Sequence, residues 1–134
     1  MAKQPLIPLL FCMALASCVV DEQSIDVAAD EVRVVDGDTI DVRGLRVRLT
    51  GFDAPELFAA QCDRELLAAM AAKDALVDLV RSSDTLVLAL NDDRDRYGRG
   101  LGRLKVNGRD VAHTMIKLGF ARPYAGGQRG GWCG

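Results

Sequence analysis

Leu45-Arg46-Val47-Arg48-Leu49 alternates without a break, apolar residues on one face and arginines on the other. That period of two is the mark of a strand with one face on a core. Gly44 turns the chain just before it. Thr39-Ile40-Asp41-Val42 is a second extended run, opened by the turn Asp36-Gly37-Asp38. Glu31 to Val35 alternates as well, Val32 and Val34 against Arg33. Three short strands joined by tight turns read as an antiparallel meander, which needs further elements to cover its apolar face. Pro55 keeps the Asp53 segment from continuing as a central strand.

Those elements follow in order. Asp63 is placed to N-cap a helix running to about Arg81, with Leu66, Ala69, Met70, Leu76, Val77 and Val80 at helical spacing on the core side. Thr85 to Leu90 reads as a buried strand, Asn91 to Arg99 as a polar loop, and Leu101 to Val106 as a fifth strand. Asn107-Gly108 is a hairpin-type turn. Asp110 can cap a short helix, Val111 to Leu118, closed by Gly119. The pattern is mainly β with α. It predicts a five-stranded OB-type Greek-key barrel, with a long helix between strands three and four and a short helix after strand five. At 134 residues, 49% hydrophobic and 27% charged, the chain makes one globular domain.

The first 27 residues read as address. Leu6 to Leu15 is an uncharged apolar run behind Lys3, so residues 1–17 resemble a signal peptide. Ala14-Leu15-Ala16 suits an ordinary signal peptidase. Leu15-Ala16-Ser17-Cys18 resembles the bacterial lipobox, which implies a lipid on Cys18 and anchoring in the cell envelope facing the periplasm. Residues 18–27 carry Asp21, Glu22 and Asp26 and read as an acidic tether, leaving 28–134 as the domain. Cys12 leaves with the signal. If Cys18 is acylated, Cys62 and Cys133 remain and are expected to pair in an oxidising compartment.

Charge and composition exclude other chemistry. A single histidine, His113, rules out a multi-histidine metal site in this chain and is expected to be structural or exposed. Removing Lys3 from the 17 basic residues, and Asp21, Glu22 and Asp26 from the 19 acidic ones, leaves 16 of each in residues 28–134, so the domain is neutral. Nucleic-acid affinity therefore has to come from local arginines, whose planar forks suit phosphate oxygens.

Two loops carry the chemistry. Asp36-Gly37-Asp38-Thr39 and Asp53-Ala54-Pro55-Glu56 flank the strand of Arg48 and offer oxygen donors without Cys or His, which suits calcium rather than zinc. Alone, the first reads equally as a tight turn in which Gly37 takes a positive φ and the Asp side chains cap backbone amides. The second loop is Asp95-Arg96-Tyr97-Gly98-Arg99-Gly100, a Gly-flanked arginine beside a tyrosine that can hold a phosphate. Alone, its interleaved charges read equally as a solvated, self-compensating surface.

In series, VVDGDTIDV, VRLTGFDAPE, DRYGRGLGRL and VNGRDVAHTMIKLGFA resemble the staphylococcal nuclease family over about residues 28–124. The resemblance implies an OB barrel and calcium-dependent hydrolysis of DNA and RNA phosphodiesters. By that likeness Asp38 and Asp53 are calcium ligands and Ala54 contributes a backbone carbonyl. Glu56 matches the general base, and Arg48 and Arg99 the two phosphate-binding arginines. Tyr97 matches the tyrosine of the nucleotide site, with Arg96 beside it in contact with substrate. The family's paired tyrosines are not clearly matched, Tyr124 being the one candidate. Gly126 to Gly134 is Gly-rich where the secreted staphylococcal type has a long helix. Trp132 is expected to pack beside Cys133. A monomer with no protein partner is expected. The competing readings are a non-catalytic module of the same fold, binding nucleic acid or protein, and an envelope lipoprotein with a purely structural role.

Overall fold

The structure, a computed structural model, describes residues 23–134. The signal segment, Cys12 and Cys18 lie outside the described residues. The expected meander forms as β2 (Val32–Asp36), β3 (Thr39–Val42) and β4 (Leu45–Leu49), antiparallel throughout. Two more expected strands are β6 (Leu86–Arg94) and β7 (Gly100–Val106), paired antiparallel. β6 runs further than its apolar stretch, with an irregularity between Leu90 and Arg94, so the polar loop is shorter than its composition suggests. With a further strand, β1 (Gln23–Val27), at its edge, the curled sheet has the order β1-β6-β7-β4-β3-β2, and β7 runs parallel to β4.

Four strands go beyond the expected five. β1 (Gln23–Val27) pairs along β6, so the second half of the expected acidic tether is part of the sheet. β8 (Arg109–Asp110) is the return leg of the Asn107-Gly108 turn. β5 (Gly51–Asp53) and β9 (Arg122–Tyr124) form a separate two-stranded sheet, in which Asp53 faces Arg122. Pro55 and Pro123 keep this sheet short.

Two helices cover one side. α1 (Asp63–Arg81) packs on β2, and α2 (Val111–Lys117) packs on β5, β7 and β9. The core is Ile40, Val47, Leu49, Phe52, Leu76, Leu88, Leu104 and Met115, all essentially inaccessible. Among the described residues no helix is long and apolar enough to cross a membrane. Asp110 caps α2 through the Ala112 N–H, as its position predicts.

α1 departs from its expected details in two ways. Its N-cap is Cys62, held extended, with Asp63 the first helical residue. Its inward face is Glu65, Ala69, Ala72, Leu76 and Val80. Leu66 and Met70, expected in the core, are exposed, along with Leu67. The cause is Gly37. A Cβ added there would lie 2.7 Å from the Ala54 Cβ and 2.8 Å from the Ala72 Cβ. The helix approaches the turn too closely for leucine or methionine, so alanines face inward and large side chains face out. Gly37 is therefore needed for close approach, and its φ is not among the positive values.

Gly37→Ala is accordingly expected to lower stability by about 1–3 kcal/mol, the usual cost of overpacking a tight contact. The urea midpoint measures it. An unchanged midpoint would mean that α1 yields freely at this contact.

Candidate active site

The turn between β2 and β3 is set by Asp36, whose Oδ1 accepts the Asp38 N–H at 3.1 Å. Pairing of Thr39 with Arg48 then brings the turn beside the middle of β4. Arg48 sits on the opposite face from Val47, as the alternation predicts, yet it is only 6% exposed. Its guanidinium donates to the carbonyls of Leu49 and Phe52 and stands 3.1 Å from Asp38 Oδ2 and 3.6 Å from Asp53 Oδ1. The N–H of Ala54 donates to Asp38 Oδ2 at 2.9 Å, tying the two loops together. The structure thus unites Asp38, Asp53, Ala54 and Arg48, with Glu56 at the rim.

Burial dominates the electrostatics. Loss of water pushes the Asp38 carboxyl from 3.8 up to about 7, against the pull of Arg48. Asp53 is 1% exposed, and its Oδ2 accepts from Nε and Nη2 of Arg122 at 3.3 and 3.0 Å. Its Oδ1 is buried with no hydrogen-bond partner, although Arg48 and Arg129 stand 3.6 and 3.4 Å away. An orphaned carboxylate oxygen and a second buried carboxylate that share the Arg48 guanidinium offer hard oxygen ligands of the kind a divalent cation takes, with Arg48 and Arg129 as the cations already beside them.

The second loop is organised by Asp95, which accepts from the N–H groups of Tyr97 and Arg99 and from Arg99 Nε at 2.6 Å. Desolvation opposes its ionisation, but these bonds hold its carboxyl below the usual range. Gly98, at φ +78°, makes the turn. Tyr97 is exposed, and Arg96 lies over its ring at 4.8 Å and donates to its hydroxyl. Asp38, Arg48, Glu56, Tyr97, Arg99 and Tyr124 all line one open groove of about 1660 Å³, joined by Arg129.

Three groups at the site were not singled out from sequence. Glu65, buried in α1, accepts the N–H groups of Gln61 at 2.7 Å and Glu56 at 3.3 Å and so pins the loop that carries Glu56. Arg122 pairs with Asp53. Arg129 Nη1 meets Glu56 Oε1 at 2.9 Å. For Arg122 the one available signal was its place after α2, opposite a strand too short to recognise. Cys62 and Cys133 form the expected disulfide, with Cα atoms 6.0 Å apart. Trp132 packs under the Arg122 guanidinium, 4.1 Å from its ring centre, and His113 is exposed.

A curled β-sheet covered by two helices, with a buried carboxylate and arginines lining one groove and a second buried carboxylate behind them, defines a small mixed domain built around a charged cleft. The chain belongs to the family described as staphylococcal nuclease homologues, which matches residues 46–130. It is 37% identical over 112 residues to protein ParB of Escherichia coli, covering 74% of this chain and 58% of that one. An uncharacterized endonuclease of Escherichia coli O157:H7 is 34% identical over 104 residues, 74% of this chain and 62% of the other. Micrococcal nuclease of Shigella flexneri is 40% identical over 81 residues, 58% and 41% of the two chains. The chain spans less than two thirds of the length of each of these relatives.

The raised Asp38 carboxyl has a measurable sign. Between pH 3.8 and about 7 the folded state holds a proton that the unfolded chain has released. Without metal, folding stability therefore falls as pH rises through that window. In chelator, Asp38→Asn should gain in melting temperature relative to the parent over the same range. A pH-independent offset between the two would remove the buried charge as the cause.

Proposed function

We propose that this chain is a calcium-dependent nuclease that hydrolyses phosphodiester bonds of DNA or RNA. The observation that carries the reading is the buried Asp38–Asp53 pair bridged by Arg48, in which Asp38 and Arg48 line an arginine-rich groove and Asp53 keeps one orphaned oxygen behind them. Membership of the family supports it. Asp38 and Asp53, with the Ala54 carbonyl, are the residues that would hold calcium. An ion held there would neutralise phosphate charge and polarise the phosphoryl oxygens.

The protein's own groups do the rest. Arg48 and Arg99 approach the groove from β4 and from the Asp95 loop, so their forks can grip different oxygens of one phosphate and meet the charge that grows in the transition state. Glu56, with its side chain half exposed on a loop pinned by Glu65, is placed to accept the proton of an attacking water. Arg96 and Tyr97 offer a cation and a ring face to the adjoining nucleotide. We also read residues 1–17 as a signal peptide followed by a lipid-modified Cys18, which would anchor the domain in the bacterial cell envelope facing the periplasm.

Digestion of single-stranded DNA, with calcium and with chelator, tests the activity. Glu56→Gln should lower turnover by about 10²–10⁴-fold, while calcium still raises the melting temperature. Unchanged turnover at saturating calcium would take Glu56 out of the mechanism, and no cleavage by the parent would favour a non-catalytic binding module.

The arginines separate in a second way. Arg99→Lys keeps the charge and loses the fork, and should cost about 10²-fold or more in rate with little change in stability. Arg48→Lys should cost as much in rate and also destabilise, because it strips partners from two buried carboxylates and two carbonyls. Parent-like rates in both variants would end the phosphate-clamp assignment.

A further inference from the structure

The segment after β9 is held by ties that a loose end does not need. The Tyr124 hydroxyl donates to the Gly127 carbonyl at 2.7 Å. Gly126 and Gly127, at φ +104° and +85°, reverse the chain there. Arg122 donates to the carbonyls of Gly130 and Gly131 and stacks on Trp132. Cys133 is bonded to Cys62 at the start of α1. Residues 126–133 are thus a strap drawn across one end of the groove.

The strap carries one charged side chain, Arg129, and delivers it to the site. Nη1 lies 2.9 Å from Glu56 Oε1 and 3.4 Å from Asp53 Oδ1. Both contacts use the same nitrogen, which leaves most of the five-donor fork for another acceptor. The side chain is 38% exposed and lines the groove that also holds Arg48 and Arg99. It also lines a smaller cavity of about 220 Å³ beside Asp53, Glu65 and Cys133, so it stands as the partition between groove and strap. Arg122, by contrast, is spent on Asp53 and the strap's carbonyls.

Resting on the nuclease reading above, we propose that Arg129 is a third phosphate-binding arginine of the groove, and that the Cys62–Cys133 disulfide holds it in place. A neutral domain must collect its positive potential locally, and among the described residues this is the one site arginine brought in by a cross-linked strap rather than by a strand or a turn. Reducing the bond removes the strap's covalent tie to α1, and with it the fixed position of the guanidinium.

The probe is a short, labelled, single-stranded oligonucleotide with phosphorothioate linkages, which keeps its backbone charge and resists hydrolysis. Binding is followed by anisotropy in calcium across a salt series. Arg129→Ala should weaken binding by about tenfold or more, as expected for one charge-assisted contact. It should also flatten the salt dependence by about 0.7 of a unit in slope, the value for one single-strand phosphate. Arg129→Lys should recover part of the loss. Treatment of the parent with a phosphine reductant, and Cys133→Ser, should each give the loss of Arg129→Ala, and neither should weaken Arg129→Ala further.

Parent-like binding by Arg129→Ala overturns the proposal. So does tighter binding together with a lower calcium midpoint in thermal melts, which would make Arg129 a plug on the carboxylates. Loss of turnover with unchanged binding would make it a positioning residue for Glu56 and overturn the phosphate contact. Parent binding that survives reduction overturns the role of the disulfide. Because binding is read without turnover, a parent that cleaves while Arg129→Ala binds normally refutes this inference alone. A parent that never cleaves, yet binds in an Arg129-dependent way, refutes only the hydrolytic reading.

Discussion

Everything at the centre of this domain answers to one problem, which is how to keep two carboxylates and a guanidinium out of water. Asp38, Asp53 and Arg48 are each at most 7% exposed. Ions moved from water to a protein interior cost several kcal/mol each unless partners replace the lost hydration. The fold supplies those partners from different elements. The β3–β4 register sets Arg48 beside Asp38, and the β5–β9 pairing sets Arg122 opposite Asp53. Backbone joins in, through the Ala54 N–H and the carbonyls of Leu49 and Phe52. The compensation is left incomplete at one atom, Asp53 Oδ1, which is buried near the guanidiniums of Arg48 and Arg129.

The same need explains the close packing around it. The turn that presents Asp38 is pressed on one side by Ala54 and on the other by α1 at Ala72. A helix that close holds the turn rigid and cannot bury large side chains over it. The exposed Leu66, Leu67 and Met70 are the outward counterpart of that choice.

Much of this was legible in the sequence, for identifiable reasons. The meander, β6 and β7 carry unbroken alternation or apolar runs, and α2 has a side-chain cap with a glycine behind it. Asp38, Arg48 and Asp53 lie within one short stretch, so their convergence follows from two tight turns. The inner face of α1 was not legible, because Leu66 and Met70 fit the helical period as well as the alanines do. Only the contact at Gly37 decides between the two faces. β5 and β9 are three residues each, below the length at which a period exists. Arg122 and Arg129 reach the site across 69 and 73 residues of chain, and no local pattern records such a meeting. The tether reading failed at Gln23–Val27 because polar residues on an outer strand look the same as a solvated linker.

The parallel pairing of β4 with β7 has a consequence for when the groove first exists. Val47, Arg48 and Leu49 lie alongside Gly100, Leu101 and Gly102, so the strand that carries the first half of the cleft has no neighbour on that side until some fifty residues later have been made. A chain still emerging from the ribosome can form its hairpins and α1, but it has neither Arg99 nor the β7 backbone to complete the cleft. Synthesis and competence are thus separated by the order of the chain itself, and the cell that translates this protein does not hold a finished cleft until β7 has emerged and docked.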